Sequence, residues 1–269
     1  VVTEFEFRLH RVGPLVYLGL FFFGLDQGPE ALRLSRDVEA NLPADATAMI
    51  IGLNAPPAPF VPQRFHHMRC YALAVVGFGT EGEHAQIVAR IREALPPLFD
   101  FVTPIPYLAL QQMFDEAFPW GVHAYDKGLY LDGLSDEAIA VITDQQPRKT
   151  SPLSTLFIYS LGNGYADIGD DDTAFGGSRA ARFSVFIVAA ANNSEALAPD
   201  RAWVRNFWEA LLPHAMGPGS YINAEAEYDR VQASYGPTKY ERLARIKAKY
   251  DPDNVFHLNA NIKPALQPI

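Results

Sequence analysis

Cysteine is nearly missing: Cys70 stands alone in a chain of 269 residues, which excludes an intrachain disulfide framework. A reduced compartment, cytoplasmic rather than secreted, is the simpler reading of that scarcity. No apolar run is long enough to cross a bilayer. The most hydrophobic stretch, residues 15–25, is short and broken by Gly19 and Gly24, and its Phe21-Phe22-Phe23 reads as a buried strand, so no membrane partner is expected. Clustered Lys or Arg is lacking as well, and a net charge of -9 argues against a nucleic-acid partner. The start has no basic region followed by an apolar one, hence no targeting segment, and no initiator Met, which reads as a piece of something longer. Also missing are Gly-x-Ser-x-Gly, His-Glu-x-x-His and a phosphate-cradling Lys motif. Asp167 with Asp170-Asp171-Asp172 lacks the terminal Glu of a calcium loop, and His66-His67 lacks a second ligand pair, so no metal site is expected.

What is present suffices for a sizeable core, since 49% of the residues are hydrophobic. Residues 1–10 alternate with period two and read as a strand. Further strands are predicted at 16–23, 47–53, 68–78, 128–131, 154–161 and 182–190. Helices are predicted at 29–42, 83–95, 106–118, 135–145 and 199–212, and the Gly- and Asp-rich stretch 163–178 reads as a long loop. The pattern is that of one α+β layer structure, a sheet with helices on one side.

Gly77-Phe-Gly79-Thr-Glu-Gly82 follows a strand and precedes a helix, the setting of a dinucleotide fingerprint. Glu81 and Glu83 stand where pyrophosphate would meet the helix, and the next parallel strand would fall on the proline-interrupted 96–100. A Rossmann-type nucleotide binder is therefore the weaker alternative to a plain strand-to-helix turn.

The last fifty residues are densest in pattern. Gly219-Ser-Tyr221-Ile-Asn223 is followed by Tyr235-Gly236, then Tyr240-Glu-Arg-Leu243, then Lys249-Tyr250-Asp251-Pro252-Asp253-Asn254-Val-Phe256, and finally Asn259-Ala-Asn261-Ile262. Thr238 with Glu241 reads as a capping box, Tyr240, Leu243, Ile246 or Lys247, and Tyr250 as one helical stripe, and Asp251-Pro252 as its stop. On its own Tyr221 reads as a core ring whose hydroxyl caps a backbone group, and the asparagines as turn residues.

This tail resembles the carboxy-terminal segment of the berberine-bridge-enzyme-like family, FAD-linked oxidoreductases of the vanillyl-alcohol-oxidase type. Pro104-Ile-Pro-Tyr107, Leu134-Ser-Asp-Glu-Ala-Ile139 and Thr173-Ala-Phe175 extend the likeness to nearly the whole chain. The resemblance implies an antiparallel sheet backed by helices whose open face covers the flavin. It implies that residues 1–12 end a mostly missing FAD-binding domain, 13–218 form the substrate-binding domain, and 219–269 the berberine-bridge-type segment. Tyr221 is implied as the base that takes a proton while hydride passes to flavin. Asn223, Asn259 and Asn261 are implied as cofactor contacts, with Tyr107, Tyr159, Phe175, Phe183 and Phe186 lining the cavity of a small-molecule substrate. FAD is expected in the complete protein and not retained by this chain alone; the alternative is an incomplete fragment or interaction module. The uncovered sheet face is expected to support a homo-oligomer.

Overall fold

Leu15–Gly24 (β1) is apolar on both faces, and such a strand belongs in the interior of a sheet with both faces covered. The structure, a computed structural model, describes residues 3–115, 119–224, 227 and 230–266. Strands β2 (Ala46–Asn54), β3 (Arg69–Gly77), β4 (Phe99–Pro106), β5 (His123–Leu131), β6 (Thr155–Ser160) and β7 (Phe183–Ala191) join β1 in one sheet, in the order β4-β1-β3-β2-β6-β7-β5. Every pairing is antiparallel.

Helices α1 (Gly28–Ala40), α2 (Glu81–Ala94), α4 (Asp136–Gln145) and α5 (Ser194–Leu211) pack on one face, while the short α3 (Tyr107–Gln111) follows β4. The period-two alternation of side chains sorts the triple phenylalanine: Phe21 and Phe23 enter the helix-side core, and Phe22 points to the other face. There Phe22 stacks on Phe99 at 4.4 Å, under the proline-rich connection that contributes Phe60 and Phe65. The opposite half of that face, over β6, β7 and β5, receives the carboxy-terminal segment, which includes α6 (Val231–Tyr235) and α7 (Pro237–Tyr250).

Four local expectations change. Within the described residues, 3–13 form no strand: Phe5 and Phe7 keep their alternation and stack at 5.7 Å, but remain exposed with no ladder partner. Phe99–Pro106 is a strand that the prolines concealed; it lies at the sheet edge, where missing ladder donors are tolerated. The helix predicted at 106–118 stops at Gln111, and 116–118 lie outside the described residues. The helix predicted from 199 begins earlier, because Asn193 caps it by accepting from the Ala196 amide at 2.8 Å, and Pro199 is carried inside.

The glycine fingerprint resolves as packing. Strand β3 has antiparallel neighbours on both sides, which removes the nucleotide reading. Thr80 caps α2 in a reciprocal box with Glu83, whose carboxylate accepts from the Thr80 amide at 2.8 Å. A Cβ on Gly79 would stand 2.4 Å from an Asp45 carboxylate oxygen, so acid occupies the space a phosphate would need.

A buried polar knot fixes β6 and β7 against α5. Asp200 on α5 accepts from the Thr150 and Ser151 amides at 2.7 and 2.9 Å and from the hydroxyls of Thr150 and Ser154. The Ala190 amide of β7 donates to the Ser154 hydroxyl at 3.1 Å, and Lys149 Nζ donates to Asn54 Oδ1 and the Ser154 carbonyl, both at 2.6 Å. Burial pushes the Lys149 ammonium down to about 8, with Arg69 adding and Asp200 opposing. Below that value both folded and unfolded chains hold the proton, and the fold bears the full cost of the buried charge. From about 8 to the ordinary lysine range the unfolded chain holds a proton that the folded chain has lost, so stability rises with pH. Urea unfolding should show the parent gaining roughly 3 kcal/mol over this window relative to Lys149→Met. A difference that does not change with pH would contradict the assignment.

Candidate functional site

The site grows from the register of three strands. Tyr159, Ser184 and Tyr130 stand side by side on the open face, with Phe157, Phe186 and Gly128 in the next row. Tyr159 meets Phe186 edge-on at 5.3 Å. Gly128 leaves the space in which residues 219–224 cross the sheet, for a Cβ there would lie 3.0 Å from Ser220 Cβ and 3.3 Å from the Ala224 carbonyl. Beyond this strap, past the edge strand β5, stands Glu227. Glu227 pairs with Lys127 at 3.1 Å on the helix side and with Arg205 of α5 at 2.5 Å. The Arg205 hydrogen bond holds the Glu227 carboxyl at about 2; burial opposes it, and Lys127 and Tyr125 add to it. The strap therefore keeps its charged anchor at any pH at which the site would work.

That crossing carries Tyr221 onto the aromatic wall. Its ring lies 6.2 Å from Phe186 and 6.0 Å from Phe175, and Phe175 meets Tyr165 edge-on at 5.9 Å. Asn223 Nδ2 donates to Tyr221 Oη at 2.8 Å. Beside them Tyr130 neighbours Tyr165, which donates to the Ser178 carbonyl at 2.8 Å. Burial holds Tyr130 above the ordinary phenol range, and its neighbours Tyr165 and Tyr221 add to the rise. Burial likewise raises Tyr159, Tyr165 and Tyr235, so these phenols stay neutral donors. The Arg179 guanidinium stacks over Tyr165 at 4.9 Å and Phe175 at 4.7 Å. A cleft of 480 Å³ opens alongside, floored by Tyr130 and walled by Gly176–Ser178 on one side and Tyr235–Lys239 on the other. That is the size of a small-molecule site.

The structure brings together Tyr221, Asn223, Tyr159, Phe175 and Phe186. Two expected lining residues lie elsewhere. Phe183 is 1% exposed and belongs to the helix-side core: it is an odd number of residues from Phe186, so the strand's period turns it to the opposite face. Tyr107 lies at the start of α3, beyond the far edge strand, against Phe78 at 6.5 Å. Asn259 and Asn261 sit on the stretch that runs back along α7, where the Lys263 amide donates to Tyr240 Oη and Ala265 to the Ala244 carbonyl. Asn259 is exposed at positive φ; Asn261 Oδ1 is buried with no hydrogen bond among the described residues.

Helix α7 starts at Pro237 as expected, but the Thr238–Glu241 capping box is not formed. Gly236 takes the cap position at φ 74°, with Pro237 in the first turn, and Glu241 bonds Arg245 at 3.0 Å instead. Its inner side is Tyr240, Leu243, Ala244 and Lys247, whereas Ile246 and Tyr250 are exposed. Asp251 stops the helix by accepting from the Val255 and Phe256 amides at 2.8 and 3.1 Å.

Sequence reasoning missed Tyr130, Tyr165, Arg179 and Lys239. Tyr130 had a signal in its alternation with Gly128; the other three come from loop geometry. Among the described residues no group of three His, Cys, Asp or Glu side chains could hold a metal, and no helix is long and apolar enough to cross a membrane.

Comparison with known proteins agrees with the fold. Residues 212–263 match the family model described as berberine and berberine like. An FAD-linked oxidoreductase of Dictyostelium discoideum is 24% identical over 267 residues, covering 98% of this chain and 55% of that protein. The FAD-linked oxidoreductase iacH of Pestalotiopsis fici is 31% identical over 113 residues, 38% of this chain and 22% of that protein. Among solved structures, wild-type BBE-like 1 of Physcomitrella patens superposes with a TM-score of 0.80 at 17% identity, over 97% of this chain and 56% of that one. Berberine bridge enzyme from Eschscholzia californica gives 0.70 at 17%, over 94% and 56%. The chain thus spans about half the length of the relatives it matches over nearly all of its own length. Residues 212–263 thus carry a berberine-like terminal segment, and over nearly its whole length the chain is similar to FAD-linked oxidoreductases and has the fold of BBE-like proteins.

Proposed function

We propose that the chain forms the substrate-side wall of an FAD-dependent oxidoreductase acting on an alcohol, sugar or secondary metabolite, with Tyr221 as its general base. The observation that carries this reading is the Asn223-to-Tyr221 hydrogen bond at the exposed side of the Tyr159–Phe186–Phe175 wall. The Asn223 amide N–H holds the Tyr221 oxygen at the mouth of that wall, where a substrate hydroxyl can approach it. With the phenol's own proton given up to water, the phenolate oxygen keeps lone pairs that Asn223 does not use, and one of them takes the proton of a substrate hydroxyl.

The described residues fit a flat heteroaromatic cofactor: an aromatic wall lies open beside an amide, and Asn261 Oδ1 is a buried acceptor without a donor. Asn223, Asn259 and Asn261 are the residues we assign to holding it. FAD, when bound, supplies the hydride acceptor. The chain's own part is to orient the substrate with Tyr159 and Tyr130, exclude water with Phe175 and Phe186, and take the proton at Tyr221 Oη. We assign the main flavin-binding part to sequence beyond residues 1–269, in keeping with the fraction of the relatives that this chain covers.

Purified complete protein should be yellow, and anaerobic addition of a panel of alcohols and sugars should bleach the oxidised flavin band with at least one member. Complete protein that lacks a flavin band, and gains none with added FAD, would overturn the reading in favour of a non-catalytic module.

A further inference from the structure

The loop 162–182 supplies Phe175 and Tyr165 to the site, yet its regular structure is one three-residue turn, Asn163–Tyr165. Most of its bonds are internal. Arg179 donates from Nη1 to the Tyr165 carbonyl and from Nη2 to Thr173 Oγ1, both at 3.2 Å, and its amide donates to Asp170 Oδ1 at 3.2 Å. Tyr165 donates to the Ser178 carbonyl at 2.8 Å. These bonds would travel with the loop if it swung as one piece about its base, where the Leu161 amide meets the Arg182 carbonyl at 2.7 Å. Among the described residues two side chains from outside hydrogen-bond to it, Glu39 of α1, which accepts from Arg182 at 2.5 Å at the base, and Lys239 of α7; Tyr130 of β5 lies beside Tyr165. Lys239 Nζ donates to the carbonyls of Asp170 and of Phe175, the latter at 2.7 Å, and so spans the 480 Å³ cleft from its helical wall to its loop wall.

We propose that Lys239 is the latch of a flap formed by residues 162–182, a positioning residue that acts on the Tyr221 site through Phe175 and closes the adjoining cleft. The bonded carbonyl belongs to the same residue whose ring lies 6.0 Å from Tyr221, so the position of the ammonium sets the distance between those rings. Charge favours the closed form, because the flap's Asp167, Asp170, Asp171 and Asp172 outnumber its Arg179 and Arg182. The effect on catalysis rests on the Tyr221 reading; the flap itself does not.

Hydrogen exchange on the complete protein, without substrate, tests the latch. Removing two charge-assisted hydrogen bonds in Lys239→Met should speed exchange of amides within 162–182 by about tenfold and leave β7 and α5 unchanged. Lys239→Arg should stay within about twofold of the parent, since it keeps the charge and the donors. Unchanged loop exchange, or equal acceleration across β7 and α5, would overturn the proposal. The Lys239→Met protein should also show a KM raised several-fold for whichever compound bleaches the flavin. A loosened flap with KM and kcat both unchanged would sink its role at the site, while Tyr221→Phe tests the base independently.

Discussion

Replacing Tyr221 with Phe in the complete protein is expected to lower turnover by about a hundred- to ten-thousandfold, the usual worth of a positioned proton acceptor, and to leave FAD content at the parent level if Tyr221 is the base we propose. The substitution removes one oxygen and little else. The Phe ring keeps its contacts with Phe175 and Phe186, and Asn223 is exposed, so water takes up the freed amide donor. The fold therefore stays intact, and the loss falls on the chemical step. Steady-state kcat beside the flavin absorbance of the same preparation separates the two. Turnover within about threefold of the parent would remove Tyr221 from the base role, because no general base is worth so little.

The largest effect on stability is expected from Asp200→Ala, which should lower the unfolding free energy by about 3–5 kcal/mol. Asp200 is fully buried and accepts four hydrogen bonds. Its truncation strands the amides of Thr150 and Ser151 and leaves the Lys149 ammonium without the one carboxylate that raises its pKa. Burial drives the Asp200 carboxyl up, but the bonds from Ser154, Thr150 and Ser151 outweigh it and hold it below the ordinary carboxylate range. The knot is thus present at neutral pH and lost only as pH falls through that lowered value. Urea or thermal unfolding of parent and variant at neutral pH measures the effect. A cost below about 1 kcal/mol would show that the knot is dispensable.

Much of the fold was legible because hydrophobic period reports burial directly. The α+β layering, most of the strands and the helix from Ser135 follow from patterns a few residues long, while the antiparallel arrangement was implied by the resemblance of the tail. Local capping then moved the boundaries: Asn193 outbid Pro199 as a helix start, and Gly236 with Pro237 displaced the Thr238 box. Strand β4 was hidden because proline argues against an interior strand, and only its place at the edge makes Pro104 and Pro106 acceptable.

The candidate site was legible through the resemblance of the tail, since by themselves Tyr221 reads as a core ring and Asn223 as a turn residue. Tyr221 and Asn223 sit two residues apart in one motif, so a short-range reading could pair them. Phe183 and Phe186 differ only in which face they take, and that depends on the register of β7 against β5 and β6, which no single strand encodes. Tyr107 looked like its aromatic neighbours but follows the far edge strand. Arg179 and Lys239 come to Phe175 through loop closure and the placing of α7, over sequence separations that carry no periodic signal.

The open face of β6 and β7 is the face we propose meets the flavin, and a structure of the complete protein with FAD tests this most directly. The flavin ring is expected against the Tyr159–Phe186–Tyr221 wall, with Tyr221 Oη within hydrogen-bond reach of a bound substrate hydroxyl; a ring lying away from that wall, with Tyr221 remote from the substrate, would contradict it.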